Sequence, residues 1–162
     1  MYISKAISKS NYLVESAERK VDVGDFIAEY LYRIAKKIYG SRIKIVVDDR
    51  FSNRLILKTK TLILTSIIEN LIGNAIKAQA TNLTISMFDD EKQYMIVFTD
   101  NGKGLSPQIS NIERIFEFGV TTTSGAGLGL YYSKLYIEQM DGMVSAQENK
   151  NGGLSLILSW KK

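Results

Sequence analysis

The chain has 162 residues, of which 45% are hydrophobic and 23% charged, and its net charge is +4. These values fit one globular domain with a sizeable core and exclude a disordered chain. Cysteine and histidine are absent, which excludes disulfides, thiolate or imidazole metal sites, and any catalytic triad that needs a histidine of this chain. The cations are dispersed, so nucleic-acid binding is not indicated. No apolar run reaches the roughly 20 residues that cross a bilayer, and we expect a cytoplasmic domain that makes no membrane contact itself.

The predicted elements alternate between helices and pairs of strands. Residues 3–19 suit a short helix or the tail of a longer one, and Asp22 is placed to cap a second helix that Gly40 ends. The other predicted elements, in chain order, are strands at 42–47 and 54–58, a buried helix capped by Thr59 or Thr61 and running to about Gln79, strands at 82–90 and 93–99, a helical turn at 111–117, a helix from about Leu130 to Met140, and strands at 143–148 and 154–160. This order predicts a two-layer α/β sandwich, with helices on one face of a mixed, largely antiparallel sheet.

A polar stripe runs along the buried helix. Asn70, Asn74 and Lys77 are spaced at i, i+4 and i+7 and therefore share one face. Amide oxygens suit Mg²⁺, and an ammonium group suits a phosphate. An equally simple interpretation is a helix whose polar face meets water.

A second segment, Asp100-Asn101-Gly102-Lys103-Gly104, directly follows the apolar strand YMIVFT. A carboxylate at a strand end can accept a hydrogen bond from the exocyclic amine of a purine, and the glycines let the backbone approach the ring. The alternative is an ordinary Asn-Gly turn. A calcium loop is excluded because the alternating carboxylates and the final glutamate are missing.

A third segment, Gly125-Ala126-Gly127-Leu128-Gly129, leads into a helix. Backbone amides at a helix N-terminus can cradle an anion. A Rossmann loop is excluded by the G-x-G-x-G spacing and by the polar residues 121–124 before it, and a Walker loop by the missing Gly-Lys-Ser/Thr. A flexible hinge without a ligand remains the alternative.

Together, in this order and at these separations, the three segments resemble the boxes of the GHKL superfamily of ATPases, which includes histidine kinases, gyrase-type topoisomerases, heat-shock chaperones and mismatch-repair ATPases. ENLIGNAIKA is similar to the N box, DNGKGL to the first glycine box, RIFEFGVTTT to the F box, and GAGLGLYYSKLYIEQMDG to the second glycine box with its helix. The closing GGLSLIL resembles the last strand of the family. The resemblance covers roughly residues 20–160 and implies a Bergerat fold, with ATP between the N-box helix and a short lid.

The resemblance implies roles at both ends of the nucleotide. Asn74 is expected to bind Mg²⁺, Asn70 to support the metal or the phosphates, and Lys77 to contact a phosphate. Asp100 is expected to accept the adenine amine, and Ser155 stands where the family usually has a threonine near the adenine. Two glycines are expected to shape the adenine pocket, Gly102 and Gly104.

The lid lies between the two glycine boxes, and its segment Thr121–Ser124 has no Lys or Arg, where relatives often place a phosphate-contacting cation. The cations that can compensate are Lys77, Lys103 and Arg114. The glycines expected to cradle the phosphates and hinge the lid are Gly125, Gly127 and Gly129. Phe116 and Phe118 are expected to anchor the lid, or simply to pack in the core.

Position 70 separates the branches of the superfamily. In the gyrase and chaperone branch a water-activating glutamate stands there, whereas this chain has Asn70, and Glu69 is turned about 100° around the helix. The resemblance therefore implies a histidine-kinase-type phosphotransferase. Alternatives are an ATP-gated interaction module without turnover, a serine/threonine kinase, or an ATPase of the same superfamily.

The absence of histidine from the chain bears on how the protein is predicted to be divided into segments. The acceptor has to lie on a separate segment or partner, with a response regulator as the next partner, and homodimerisation is expected only through segments outside this chain. Residues 1–20 are predicted to be the remnant of a helical dimerisation and phosphoacceptor segment, and residues 21–162 the catalytic domain of a larger sensor protein.

Overall fold

The structure is a computed structural model that describes residues 17–120 and 126–162. Its elements, in chain order, are strand β1 (Arg19–Asp22), helix α1 (Val23–Tyr30), a π-helical turn (Leu31–Ala35), helix α2 (Lys36–Tyr39), strands β2 (Lys44–Arg50) and β3 (Ile56–Thr59), helix α3 (Thr61–Lys77), strands β4 (Asn82–Asp89) and β5 (Gln93–Asp100), a 3-10 helix (Ile112–Phe116), helix α4 (Gly129–Gln139), and strands β6 (Gly142–Glu148) and β7 (Leu154–Lys161). None of the helices described is both long enough and apolar enough to span a membrane.

Five strands form one sheet in the order β2-β4-β5-β7-β6. Only β2 and β4 pair in parallel, and the other three pairings are antiparallel. β1 and β3 form a separate antiparallel ribbon. The predicted α/β sandwich with a mixed, largely antiparallel sheet is confirmed.

The core lies between one face of this sheet and the helices. Alternate residues of the three central strands are buried, namely Leu83, Ile85 and Met87 on β4, Ile96 and Phe98 on β5, and Leu156, Leu158 and Trp160 on β7. α3 packs above them through Leu64, Ile67, Ile68, Leu71, Ile72 and Ala75. Burying each large aliphatic or aromatic side chain contributes about 1.5–3 kcal/mol, so this layer holds the polar face of α3 in a fixed position.

Two local predictions about α1 and α3 had different outcomes. Asp22 caps α1 as predicted, since its Oδ1 accepts a hydrogen bond from Asp25 N at 3.2 Å. A threonine cap on α3 was the wrong prediction, because the residue at the cap position is Lys60 and it makes no side-chain capping bond. Thr59 is instead buried at the end of β3, opposite Arg19.

Strand β1 was not predicted. Arg19 and Lys20 pair with Thr59 and Lys58, within the segment expected to precede the catalytic domain. Four residues are too few to show a period-2 pattern, so only the tertiary pairing reveals this strand. The helix predicted over 3–19 is therefore wrong at its described end, because residues 17 and 18 are irregular and Arg19 belongs to β1. Residues 3–16 of that prediction lie outside the described residues.

Candidate functional site

A small cavity of about 20 Å³ opens where α3, the loop after β5, the start of α4 and strand β7 meet. The residues lining it are Leu71, Asn74, Ala75, Ala78, Leu83, Phe98, Asp100, Gly104, Leu130, Leu154 and Leu156. This volume has room for about one water molecule. A cavity of this size is too small for a purine ring, so a nucleotide can enter only if the surrounding side chains move apart. The apolar lining and the two polar side chains, Asn74 and Asp100, define where a ligand would sit.

Asn70 joins α3 to the start of α4. Its Nδ2 donates to the main-chain oxygen of Gly129 and to Ser133 Oγ, both at 3.4 Å. A Cβ built on Gly129 would lie 3.6 Å from the Asn70 amide, so the helix end and the side chain are in close contact. Ser133 is buried, and its part in the site was not predicted. The signal available was its position four residues after Gly129, on the same face of α4.

Asn74 has a buried Nδ2 atom with no hydrogen-bond partner among the described residues. An unsatisfied buried polar group costs about 1–3 kcal/mol, so its persistence in an apolar wall calls for a ligand that satisfies it. The two ends of an amide are nearly isosteric, and this side chain can present a donor or a carbonyl oxygen. The described residues contain no cluster of three or more carboxylates that could bind a metal by themselves. A metal at Asn74 would therefore share its coordination with a bound ligand.

Lys77 and Arg114 do not line the cavity. Lys77 is exposed in the last turn of α3. Arg114 is exposed too, and its Nε pairs with Glu117 Oε2 at 3.3 Å. An ion pair between exposed groups is weak, so Arg114 can exchange this partner for another anion. Among the described residues, no cation lines the cavity.

Glu69 points away from the cavity. Tyr30 of α1 donates its hydroxyl hydrogen to Glu69 Oε1 at 3.0 Å. Burial and the neighbouring Glu69 carboxylate raise the pKa of Tyr30, which keeps the phenol protonated as a donor. The predicted turn of Glu69 away from Asn70 and Asn74 agrees with this contact.

Asp100 lies at the end of β5 with its carboxyl group partly buried at the cavity. Its Oδ1 accepts a hydrogen bond from Gly102 N at 2.7 Å. Burial raises the pKa of Asp100, and hydrogen bonds from the backbone N–H groups of Gly102 and Leu154 act against that rise. At Gly102 a Cβ would come within 2.7 Å of the Ala78 carbonyl oxygen, so glycine lets the loop lie directly on the end of α3.

The β6–β7 hairpin braces Asp100 from the other side. Asn149 Nδ2 donates to the Asp100 carbonyl oxygen at 3.0 Å, and Ser155 Oγ donates to Asn149 Oδ1 at 2.7 Å. Ser155 Oγ also lies 3.0 Å from Thr99 Oγ1. Ser155 itself does not line the cavity, whereas its neighbour Leu154 does. Neither Asn149 nor Leu154 was predicted as a site residue, because their contacts depend on how β7 pairs with β5.

Backbone contacts join the residues on either side of the lid segment Thr121–Ser124. Gly119 N donates to the Gly127 carbonyl oxygen at 3.2 Å. Gly127 has φ +67°, and a Cβ there would lie 2.5 Å from the Gly119 carbonyl carbon. Only glycine permits this approach. Gly125, with Thr121–Ser124, lies outside the described residues.

The start of α4 is open to an anion. Leu128 occupies the cap position without a side-chain hydrogen bond, and the first turn carries no acidic residue. The first N–H groups of a helix have no partner within it and carry the positive end of its dipole. Backbone at Gly127 and Gly129 can therefore offer donors to a phosphate, without a competing carboxylate.

The two phenylalanines of the F box differ in environment. Phe116 is buried, with Lys134 Nζ 5.7 Å from its ring centre. Phe118 is 66% exposed and meets Tyr131 edge to face, with ring centres 5.3 Å apart. Core packing therefore describes Phe116, while Phe118 links the base of the lid to α4.

This fold recurs in solved catalytic domains. It is similar to the mycobacterial sensor histidine kinase MprB, with a TM-score of 0.72, 20% identity, and coverage of 90% of this chain and 97% of that one. It is also similar to the catalytic domain of histidine kinase ThkA, with a TM-score of 0.71, 22% identity, and coverage of 90% and 95%. These two likenesses show that the chain has the α/β-sandwich fold of those proteins. Residues 59–162 match the family described as "Histidine kinase-, DNA gyrase B-, and HSP90-like ATPase", and the chain belongs to that family.

Curated relatives are sensor proteins of greater length. The chain is 31% identical over 102 residues to the sensor histidine kinase CpxA of Escherichia coli K12, covering 59% of this chain and 22% of CpxA. It is 26% identical over 152 residues to the sensor protein RprX of Bacteroides fragilis, covering 87% of this chain and 29% of RprX. The chain thus spans less than a third of the length of these relatives.

Proposed function

We propose that this domain binds Mg-ATP and donates the γ-phosphoryl group to a histidine on a separate segment or partner, in two-component-type signalling. The observation that supports this best is the buried Nδ2 of Asn74, which has no hydrogen-bond partner among the described residues and lines the same cavity as the Asp100 carboxyl group. One group fits the metal-phosphate end of a nucleotide, and the other fits the amine of adenine.

Asn74 would hold the Mg²⁺ through its amide oxygen and donate from Nδ2 to a phosphate oxygen, and the phosphates would complete the metal coordination. Asn70, already fixed to α4 by Gly129 and Ser133, would support the same end of the ligand. When bound, Mg²⁺ supplies neutralisation of the charge on the phosphate oxygens.

The other residues of the site bind and orient the nucleotide. Asp100 accepts a hydrogen bond from the adenine amine, with Gly102 and Gly104 leaving room for the ring. Gly127 and Gly129 offer backbone donors to the phosphates at the start of α4, and Gly125 is proposed to do so as well. Transfer breaks the bond from the γ-phosphorus to the β–γ bridging oxygen and forms a phosphorus–nitrogen bond to the acceptor imidazole, so ADP leaves.

Phosphotransfer is favoured over hydrolysis by the side chains on α3. Asn70 cannot serve as a base, and Glu69 is engaged by Tyr30 on another face of the helix. We also propose that residues 21–162 are the catalytic part of a larger cytoplasmic kinase. Its acceptor is a histidine-bearing segment, and a response regulator receives the phosphoryl group next.

The second candidate, an ATP-gated interaction module without turnover, is favoured by one observation. No cation among the described residues lines the cavity, and Lys77 and Arg114 both lie outside it. Lys103 is exposed and lies outside the cavity as well, and turnover requires Lys77, Lys103 or Arg114 to reach the phosphates when nucleotide binds.

Isothermal titration calorimetry with the non-hydrolysable analogue AMPPNP tests the binding step. We expect micromolar-range binding that weakens when Mg²⁺ is left out, and no binding in either condition would contradict the proposal. Incubation with γ-labelled ATP and a single-histidine phosphoacceptor domain then tests transfer. Acid-labile label on that domain supports a histidine kinase, acid-stable label indicates a serine/threonine kinase, and binding without transfer supports the gated module.

A further inference from the structure

Strand β2 forms an outer edge of the five-stranded sheet and leaves that edge unpaired within the described part of the chain. Lys44 N donates inward to Thr81 O at 2.9 Å. Because successive peptide groups of a strand point in opposite directions, those of Ile45 and Val47 face the open edge. The strand also exposes apolar surface, with Val46 42% and Val47 37% exposed. An unpaired apolar edge of this kind is a template for a further strand.

A groove of about 540 Å³ runs beside this edge, on the helix side of the sheet. Its lining residues are Ala28, Leu31, Tyr32, Lys36, Gly40, Ile43, Lys44, Ile45 and Val47. Ile45 and Val47 share the sheet face of their β4 partners Leu83 and Ile85, which are fully covered by the helices. The helix layer therefore stops short of β2, and Tyr32 beside the gap is 77% exposed.

We propose that a second copy of this chain covers the edge, with the two β2 strands antiparallel about a two-fold axis at Val46. In that register Lys44 of each copy lies opposite Asp48 of the other, and Ile45 lies opposite Val47. Val46 meets its own copy on the axis. Each copy supplies the same patch, as a two-fold interface requires.

The charges favour this register over one with the axis at Val47. Asp48 pairs with Arg50 Nε at 3.0 Å in the single chain, and because both groups are exposed, Asp48 can exchange this weak partner for Lys44 of the other copy. This register contains two opposite-charge pairs and two apolar pairs, and directly opposed residues share a face. The outward peptide groups of Ile45 and Val47 meet as hydrogen-bonded pairs. Moving the axis to Val47 would place Lys44 opposite Arg50 and Ile45 opposite Asp49, which pairs like charges and buries a carboxylate against an apolar side chain.

Such pairing joins the two sheets into one of ten strands and merges the two grooves across the axis. The overlap is five residues long, so free chains associate only weakly. Two copies already held in one dimer by other segments would pair far more readily, because their effective concentration is high. This contact is distinct from the dimerisation that the sequence predicts through segments outside the chain.

Analytical ultracentrifugation of the whole chain, from micromolar to millimolar concentration, tests the proposal. We expect a monomer–dimer equilibrium that Lys44→Asp or Asp48→Lys weakens at least about tenfold, and that the double variant Lys44→Asp with Asp48→Lys restores. Lys150→Asp, in a distant hairpin, is the matched control and should leave the equilibrium unchanged. A monomer at every concentration, or a dimer indifferent to the charge reversals, overturns the proposal.

Amide hydrogen exchange separates a second copy from a cover within the chain. Protection of the Ile45 and Val47 amides should rise with protein concentration if a second copy pairs with β2. Protection that is independent of concentration would mean that the chain covers its own edge, and would overturn the proposal. Neither measurement depends on nucleotide, so a failure here leaves the proposed ATP site unaffected.

Discussion

Asn149 Nδ2, in the β6–β7 hairpin, donates a 3.0 Å hydrogen bond to the main-chain carbonyl oxygen of Asp100 at the end of β5. The hairpin approaches closely here, since a Cβ on Gly153 would lie 2.1 Å from the same carbonyl oxygen. Asn149 is itself held by Ser155. The residue proposed to read adenine is therefore positioned by a turn 49 residues further along the chain.

Removing the Asn149 side chain should weaken nucleotide binding, although Asn149 does not itself contact the nucleotide. We expect Asn149→Ala to lower ATP affinity about fivefold, the worth of a net hydrogen bond of about 1 kcal/mol. In a double-mutant cycle with Asp100→Asn by calorimetry, the two losses should be less than additive, because both act through Asp100. Asn151→Ala in the same turn is the control. Additive losses would mean that Asn149 acts on general stability alone.

Asp100→Asn should change purine preference. The variant replaces an acceptor oxygen at the proposed amine position with a mixed donor and acceptor, so ATP affinity should fall about tenfold or more while GTP affinity changes little. Competition binding with the two nucleotides measures the ratio. An unchanged ratio would remove Asp100 from the adenine site.

The same substitution should raise stability near neutral pH. Burial raises the pKa of Asp100 in the folded state, so the stability linked to its protonation is fully present below the unfolded pKa and is lost as pH rises through the folded pKa. The neutral amide of the variant does not titrate and would avoid that loss. Thermal unfolding of both proteins should show a gain in Tm for Asp100→Asn near neutrality that shrinks in acid, and a gain independent of pH would contradict this origin.

Glu69→Gln should change neither nucleotide binding nor the rate of any ATP turnover, because Glu69 faces Tyr30 rather than the cavity. Its expected effect is a loss of roughly 1 kcal/mol in unfolding free energy, shared with Tyr30→Phe in a double-mutant cycle. Chemical denaturation and a steady-state ATPase assay measure the two quantities. ATP hydrolysis that disappears in Glu69→Gln would favour a water-activating enzyme.

Lys77→Ala should weaken ATP more than AMP. Lys77 is exposed one turn beyond Asn74. In the proposed orientation its ammonium group contacts the β- or γ-phosphate, which AMP lacks. Calorimetry with both nucleotides measures the two losses. Equal losses for ATP and AMP would contradict a phosphate role.

Two glycine-to-alanine changes should have opposite signs. Gly127→Ala places a Cβ 2.5 Å from the Gly119 carbonyl carbon at φ +67°, so strain of about 1–2 kcal/mol from the left-handed backbone adds to a direct clash. Gly73→Ala, inside α3 with no atom within 4 Å of its new Cβ, should stabilise by about 0.5–1 kcal/mol. Urea unfolding of both variants checks the signs, and a neutral Gly127→Ala would rule out the close contact between Gly119 and Gly127.

The sequence by itself predicted the strands of the main sheet and the buried helix, and it singled out Asn74 and Asp100, the two polar side chains that line the cavity. Period-3.6 and period-2 patterns are local properties of a chain, so α3, the central strands and the polar stripe of Asn70 and Asn74 could be recognised without a partner. The combination of the boxes, in their order and at their separations along the chain, was enough to identify the family. Glycine at position 127 also reflects a local requirement, a positive φ.

Only the tertiary structure decided which predicted residues meet. β7 pairs with β5 in a register that sets Ser155 beside Thr99 and leaves Leu154 at the cavity, and no local pattern encodes that register. Arg114 forms an ion pair with Glu117 and does not line the cavity. Local sequence does not decide between such partners, because an exposed ion pair contributes little free energy. Strand β1 and the hydrogen bond from Asn149 to Asp100 depend on contacts between segments distant in sequence. The edge position of β2 depends on the order of the strands in the sheet. Their geometry depends on sheet order and close packing, which a linear pattern of residue types does not contain.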